Sequence, residues 1–210
     1  MALPSSRTAE SRPSTQSGRA AVLNAPNVLT LFRILLVPIL VVVLLTELDG
    51  KEFIGLGLFL LAALTDFLDG FIARRRRQIT RLGKLLDPAA DKILTSAAFI
   101  SLVGLGLAPA WMVVVIVARE FAVSALRSLA ASQNLVLGAG LSGKVKTILQ
   151  IVAISLLIIS NQLGQLQVLA PLALWVALLV TIYSGIEYFV RHGGTVLRGP
   201  GSATSHEGQR

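Results

Sequence analysis

Four aspartates lie within or beside hydrophobic segments of this chain, where carboxylates are costly. Asp66 and Asp69 are three residues apart, and Asp87 and Asp91 are four apart, so each pair shares one face of a helix. An aspartate at the centre of a membrane helix costs roughly 2.5–3.5 kcal/mol on insertion scales. The carboxylates therefore predict a cation site that is shared by two adjoining helices.

The types of residue available limit the kind of metal. The chain has no cysteine, and its two histidines, His192 and His206, lie near the C-terminus. All-oxygen ligands favour Mg²⁺ or Mn²⁺ over Zn²⁺, and two divalent ions would balance the charge of the aspartates. A basic connection that contains Arg74–Arg77, Arg81 and Lys84 joins the two pairs and suits a phosphate group. The alternative is that these arginines pair with the aspartates and that no ion binds.

Six apolar segments are the elements that must position these residues. Each approaches the roughly 20 residues that a helix needs to cross a hydrocarbon core of about 30 Å, and runs of this length satisfy their backbone in lipid as helices. The segments are Val28–Leu45, Phe53–Phe71, Leu85–Leu107, Ala108–Leu129, Val145–Leu163 and Val168–Val190. Hydrophobic residues make up 54% of the chain, which excludes an ordinary soluble domain. We expect an all-α integral membrane protein with six transmembrane helices.

The distribution of charge predicts the orientation of these helices. With six spans, both termini lie on one side, together with the basic connection between the aspartate pairs. Of the 19 basic residues, only Lys51 falls on the opposite side. The positive-inside rule places the basic side in the cytoplasm, so the helices should surround a cytoplasm-facing polar active site. The net charge of +8 fits anionic headgroups rather than a nucleic-acid partner.

The ends of the chain differ in composition from the apolar part. Residues 1–23 are rich in Ser, Arg, Pro and Ala and predict a disordered cytoplasmic extension, with an organellar transit sequence as the alternative. Residues 193–210 predict a disordered tail. Residues 24–192 should therefore form one six-helix domain.

The aspartates also carry a resemblance to a known family. Residues 66–91 match D-x2-D-G-x2-A-R-x8-G-x3-D-x3-D without a gap. This pattern resembles the signature of the CDP-alcohol phosphotransferases, and the resemblance covers about residues 24–190. Pro26–Arg33, Ala118–Glu120 and Gly143–Thr147 are similar to phosphatidylglycerophosphate synthases in particular. The resemblance implies transfer of a phosphatidyl group from CDP-diacylglycerol to glycerol 3-phosphate, with release of CMP, in the inner membrane of a bacterium.

The resemblance implies a role for each residue of the motif. Asp66, Asp69 and Asp87 would bind two Mg²⁺ or Mn²⁺ ions. Asp91 would contact metal and also act as the general base. Residues expected at the cytidine diphosphate of the lipid are Asn27, Thr30, Gly70, Ala73, Arg74, Thr80 and Gly83. The resemblance further implies a homodimer surrounded by membrane lipid.

Cations further along the chain are expected to bind the phosphate of the acceptor. They are Arg119, Arg127, Lys144 and Lys146. The competing interpretation pairs Arg119 with Glu187 and leaves Arg127 to lipid headgroups. Glu120 is not expected to pair with Arg119, because adjacent residues do not share a helix face.

Two other functions stay open at this point. The same chemistry could use another acceptor, such as inositol phosphate or another alcohol, because three or four side chains set that choice. A cation-coupled transporter could use the aspartates as its ion site. Transporters usually show internal repeats and broken helices, and the sequence shows neither.

Overall fold

The structure is a computed structural model that describes the backbone of residues 25–76, 81–133, 135 and 140–198. Side chains are described for residues 29–65, 89–133, 135, 140–194 and 196. Within these ranges the chain is helical and contains no strand, which confirms the predicted all-α class. The α-helices are α1 Ala25–Leu45, α2 Lys51–Arg76, α3 Arg81–Gly104, α4 Ala110–Ser132, α5 Leu141–Ile158 and α6 Leu169–Arg198. Each of the predicted apolar segments corresponds to one of these helices.

The helices pack as two halves. In the first half α1 lies along α2 and α3, and in the second half α6 lies along α4 and α5. Contacts of α2 with α5, and of α3 with α4 and α5, join the α1–α3 half to the α4–α6 half. A single apolar core crosses this seam and includes Phe59, Phe99 and Leu157. Residues of α3 can therefore share a site with residues of α4 and α5.

Large apolar side chains cover the outside of the bundle. Val114, Ile148 and Val190 are 64%, 61% and 78% exposed, whereas soluble proteins rarely expose large apolar patches. Among the described residues, Leu141–Ile158 and Gly164–Gly194 are long and apolar enough to cross a membrane. The described part of α1 contains a shorter apolar stretch, Leu29–Leu45. The surface and composition are those expected of a membrane protein.

Helices α1, α2, α3 and α5 begin two to four residues earlier than the sequence predicted. α1 starts at Ala25 rather than Val28, so Asn27 lies inside the helix and not before it. α5 starts at Leu141 rather than Val145, after an extended residue at Gly140. Two short 3₁₀ turns then follow α5, where the prediction extended the helix to residue 163. Apolar content identified these helices, but their polar first turns gave no signal.

The last helix is longer than the sequence predicted. α6 continues to Arg198, whereas the apolar segment ended at residue 190 and the tail was expected to begin at 193. Val196 is buried against Leu126 and Ala130 of α4. The side-chain amide of Gln133 also donates a hydrogen bond of 3.1 Å to the carbonyl of Val196. These contacts with α4 stabilise the added helical turns, so the first part of the predicted disordered tail is helical.

Candidate active site

The four aspartates lie on two helices that contact each other. Asp66 and Asp69 are in the C-terminal half of α2, and Asp87 and Asp91 are in the N-terminal half of α3. Only Asp91 belongs to the described side chains, and it is half-buried. The described side chains contain no group of three or more residues that could hold a metal ion. The helical placement agrees with the sequence analysis, and the role of the aspartates as metal ligands stays a prediction.

The residues predicted at the cytidine diphosphate lie mostly outside the described side chains. Thr30 is described and is completely buried on α1. Thr80 lies outside the described residues, and only the backbone is described for Asn27, Gly70, Ala73, Arg74 and Gly83. Arg33 is also completely buried, one turn beyond Thr30, although the sequence analysis gave it no role. A buried guanidinium needs compensating partners, and α1 packs against both aspartate helices.

Polar side chains of α4 and α5 meet at Glu120. Its Oε1 accepts hydrogen bonds from Arg119 Nη1 at 3.1 Å and from Gln150 Nε2 at 3.3 Å. The same oxygen accepts a hydrogen bond from Lys146 Nζ. Arg119 and Glu120 each expose 12% of their side chains, and Lys146 exposes 9%. A buried charge requires pairing and hydrogen bonding of this kind.

Helix α6 adds two buried hydroxyl groups to this arrangement. Ser184 Oγ accepts a hydrogen bond of 2.8 Å from Arg119 Nη2, and Thr181 Oγ1 accepts one of 3.2 Å from Gln150 Nε2. We call the complete set the α4–α6 polar cluster; it consists of Arg119, Glu120, Lys146, Gln150, Thr181 and Ser184. The cluster orients one guanidinium and one ammonium group between α4, α5 and α6.

Both expectations about the ion-pair partner of Arg119 are wrong. Arg119 does pair with Glu120, because its long side chain can turn back toward the neighbouring residue although the two Cβ atoms point in different directions. Glu187 instead pairs with Arg191, one turn away on α6, at 3.1 Å. Both members of the Arg119–Glu120 pair lie in the segment that resembled the family, but the rule that adjacent residues do not share a helix face argued against their pairing.

The structure separates the four cations that were predicted to bind the acceptor. Arg119 and Lys146 belong to the polar cluster, whereas Lys144 is exposed. Arg127 is also exposed, and its guanidinium carbon lies 5.5 Å from the ring centre of Tyr188. This distance is that of a cation–π contact. Only two of the four cations therefore meet in the hydrogen-bonded cluster.

Electrostatic interactions connect the polar cluster with α3. The charge of Lys146 interacts with that of Asp91 as well as that of Glu120. Lys92 is half-buried next to Asp91, and its charge interacts with those of Asp91, Glu120, Arg127 and Arg119. The aspartate predicted to be the base thus lies near the cations predicted to bind the acceptor. Lys92 was not among the predicted site residues, although this lysine directly follows the last residue of the aspartate motif.

A cavity of about 360 Å³ opens beside Arg119. Its other walls come from α6 and are apolar, with Gly185 among them. Another cavity, of about 420 Å³, lies at the opposite end of α6, next to Ser160 and Pro171. The first cavity borders Arg119 of the polar cluster, whereas the second is remote from the cluster.

Comparison with known proteins supports the resemblance found in the sequence. The profile of the family described as CDP-alcohol phosphatidyltransferase matches residues 23–183. The CDP-diacylglycerol--glycerol-3-phosphate 3-phosphatidyltransferase of Bacillus subtilis is 46% identical over 183 residues, which is 80% of this chain and 95% of the relative. The enzymes of the same name from Rickettsia felis and Haemophilus influenzae are 36% and 32% identical. Their alignments cover 79% and 83% of this chain, and 93% and 96% of the relatives.

A solved structure supports the fold. The crystal structure of Mycobacterium tuberculosis phosphatidylinositol phosphate synthase in its apo form superposes with a TM-score of 0.58 at 23% sequence identity. The superposition covers 88% of this chain and 95% of that protein. The family profile extends over most of the helical region, and the curated relatives align along nearly their whole length. The chain therefore belongs to the CDP-alcohol phosphatidyltransferase family.

Proposed function

We propose that this protein transfers the phosphatidyl group of CDP-diacylglycerol to glycerol 3-phosphate, giving phosphatidylglycerophosphate and CMP. The curated relatives named for this reaction support the choice of substrates, with identities between 32% and 46%. The observation that carries the proposal is the packing of α3, which bears Asp91, against α4 and α5, which bear Arg119 and Lys146. This packing places a carboxylate that can accept a proton on a helix beside those whose cations can bind a phosphate.

The aspartates are the proposed ligands of the metal ions. Their donor atoms are all oxygen, they lie on two helices in contact, and the chain has no cysteine, a combination that fits Mg²⁺ or Mn²⁺. Two ions would be held by Asp66, Asp69, Asp87 and Asp91. When bound, such ions neutralise charge on the pyrophosphate of the CDP-lipid.

The CDP-lipid would bind at the α1–α3 half. Gly70 and Ala73 have little or no side chain, which allows a nucleotide to approach α2 closely. The rest of the proposed donor site consists of Asn27, Thr30, Arg74, Thr80 and Gly83. Thr30 and Arg33 are both completely buried, which supports a polar site near the N-terminal end of α1.

Asp91 is the proposed general base. Its carboxylate takes the proton from a hydroxyl group of glycerol 3-phosphate while the hydroxyl oxygen bonds to the phosphorus that carries the diacylglycerol. The bond from that phosphorus to the bridging oxygen breaks, and CMP leaves with the electron pair. A positioned base contributes about 10²–10⁴-fold to the rate of such a step.

Arg119 and Lys146 are the proposed primary ligands of the acceptor phosphate. Two cations and one carboxylate leave a net positive charge in the cluster, and Lys92 adds another nearby. Guanidinium and ammonium groups bind phosphate through charge-assisted hydrogen bonds. The exposed Arg127 and Lys144 would attract the anion from the rim of the site.

In the proposed arrangement all six helices cross the inner membrane of a bacterium. Residues 24–192 would form the transmembrane domain, with residues 1–23 as a cytoplasmic extension. The active site and both termini would face the cytoplasm. The charge distribution supports this orientation, because nearly all basic residues fall on one side. A homodimer completes the proposal, in keeping with the family resemblance.

Release of CMP by the purified protein tests the function. CDP-diacylglycerol and Mg²⁺ are supplied with glycerol 3-phosphate, inositol phosphate, glycerol or no acceptor. We expect CMP release that depends on glycerol 3-phosphate and yields phosphatidylglycerophosphate. A preference for inositol phosphate would keep the transferase and replace its acceptor. If no acceptor leads to release of CMP, the proposed transferase function is contradicted and the cation-coupled transporter becomes the favoured function.

A further inference from the structure

Gly185 of α6 lies directly against the side chain of Arg119. A Cβ atom at position 185 would lie 2.9 Å from Arg119 Cγ and 3.2 Å from Arg119 Nε. Real Cβ atoms essentially never make contacts shorter than 3.0 Å, so any larger residue would displace the arginine. The stem of Arg119 thus occupies the space that a side chain at position 185 would need.

The neighbouring residue on α6 fixes the end of the same arginine. Ser184 is 2% exposed and accepts a hydrogen bond of 2.8 Å from Arg119 Nη2. Glu120 accepts the bond from Nη1 on the other side of the guanidinium. Arg119 Nε is buried and has no hydrogen-bond partner among the described residues. Close contact with α6 and two anchoring bonds therefore define one position of the guanidinium.

We propose that Gly185 is a positioning residue for acceptor binding. Its missing side chain lets Arg119 lie along α6, where Ser184 and Glu120 hold the guanidinium beside Lys146. This inference rests on the proposed function, in which Arg119 binds the acceptor phosphate. The inference gives a glycine of α6 a role in the acceptor site, although this glycine belongs neither to the aspartate signature nor to the basic motifs.

The substitution Gly185→Ala tests the inference directly. We expect the KM for glycerol 3-phosphate to rise about tenfold, because a misplaced guanidinium loses a charge-assisted contact. The KM for CDP-diacylglycerol should stay unchanged. Ser184→Ala, which removes only a hydroxyl group, should change the same KM in the same direction. This second variant provides the measurement if Gly185→Ala does not fold.

Gly194→Ala is the matched control on the same helix. Nothing lies within 4 Å of a Cβ atom at position 194, and alanine favours helix over glycine. We expect both KM values of this variant to equal those of the unaltered protein. An increase of the acceptor KM as large as that of Gly185→Ala would show a general effect of α6 and would overturn the inference.

A double substitution separates positioning from simple packing. If Gly185 acts through Arg119, Gly185→Ala should add nothing to the acceptor defect of Arg119→Ala. If Gly185→Ala raises the acceptor KM by the same factor in the unaltered protein and in the Arg119→Ala variant, the inference is overturned. If Arg119→Ala raises the acceptor KM and Gly185→Ala does not, the inference fails and the proposed function stands. An unchanged acceptor KM in Arg119→Ala would instead reject the proposed acceptor site, and the inference with it.

Discussion

Lys146 of α5 donates a hydrogen bond to Glu120 of α4 at a point where both side chains are almost completely removed from solvent. Helices α4 and α5 make few direct contacts with each other, and both pack against α6. A buried ammonium group and a buried carboxylate are tolerated when they pair and form hydrogen bonds. The pair therefore contributes to the packing of the α4–α6 half as well as to the candidate acceptor site.

Glu120→Ala should destabilise the protein by about 3 kcal/mol, because it leaves Arg119 and Lys146 buried without their carboxylate. Denaturant unfolding in detergent measures this change. The control is Glu187→Ala, which breaks a pair whose arginine, Arg191, is 69% exposed. The control should lose less than about 1 kcal/mol. Equal losses in the two variants would contradict a structural role for the Glu120 pair.

Asp91→Asn should reduce kcat at least about 100-fold, because an amide cannot accept the proton of the acceptor hydroxyl. Binding of CDP-diacylglycerol should persist, since the other three aspartates remain. Steady-state kinetics and lipid binding by the same preparation test both statements. A kcat within about tenfold of the unaltered protein would remove Asp91 from the role of base.

Asp66→Asn and Asp87→Asn should each raise the Mg²⁺ concentration needed for half-maximal activity, because each removes a charged ligand. Titration of activity with Mg²⁺ gives this concentration. Asp49→Asn is the matched control, since Asp49 is exposed between α1 and α2. If all three variants share the titration curve of the unaltered protein, the two-helix metal site is wrong.

Arg119→Gln should reduce kcat/KM for glycerol 3-phosphate about ten- to 100-fold, because one charge-assisted phosphate contact is lost. Unphosphorylated glycerol should be a poor substrate of the unaltered protein and should lose little more in the variant. Arg191→Gln, at an exposed position, serves as the control. Similar losses for both acceptors would indicate a structural rather than a phosphate-binding role of Arg119.

Cysteines introduced by Asp49→Cys and Arg76→Cys should react from opposite sides of the membrane. The chain has no cysteine of its own, so no background needs to be removed. Gly50 has a φ of 74° and would be strained by a side chain, which makes the exposed Asp49 the better position. Labelling of intact cells with an impermeant thiol reagent tests the arrangement. Equal labelling of the two positions would contradict an α2 that spans the membrane.

The apolar segments predicted the helices well, because burial and lipid contact both require long apolar runs. The extension of α6 had no such signal. Gly193 and Gly194 are poor helix formers, yet they stay helical because Val196 packs onto α4 and Gln133 bonds to its carbonyl. Contacts between residues so far apart in the chain are not visible in local composition.

The polar cluster was predictable only in part. Arg119 was identified because it interrupts an apolar run, and Lys146 because it lies at the start of the fifth apolar segment. Glu120 was excluded by a rule about helix faces that does not account for the length of an arginine side chain. Gly185 gave no signal, because its importance depends on a contact with another helix. Spacing along one helix predicts neighbours on that helix, and the structure adds those from α6.

The packing of the helices in two halves also affects how substitutions can change the substrate specificity of such a protein. The proposed donor-site residues belong to the α1–α3 half, and the proposed acceptor ligands lie mostly on the α4–α6 half. Substitutions without shared partners have nearly additive effects. Substitutions in α4–α6 that lie away from Asp91 and Lys92 should therefore change the use of the acceptor with little effect on the proposed metal and nucleotide sites. Under the proposed arrangement, the specificity for the acceptor can change separately from the specificity for the CDP-lipid.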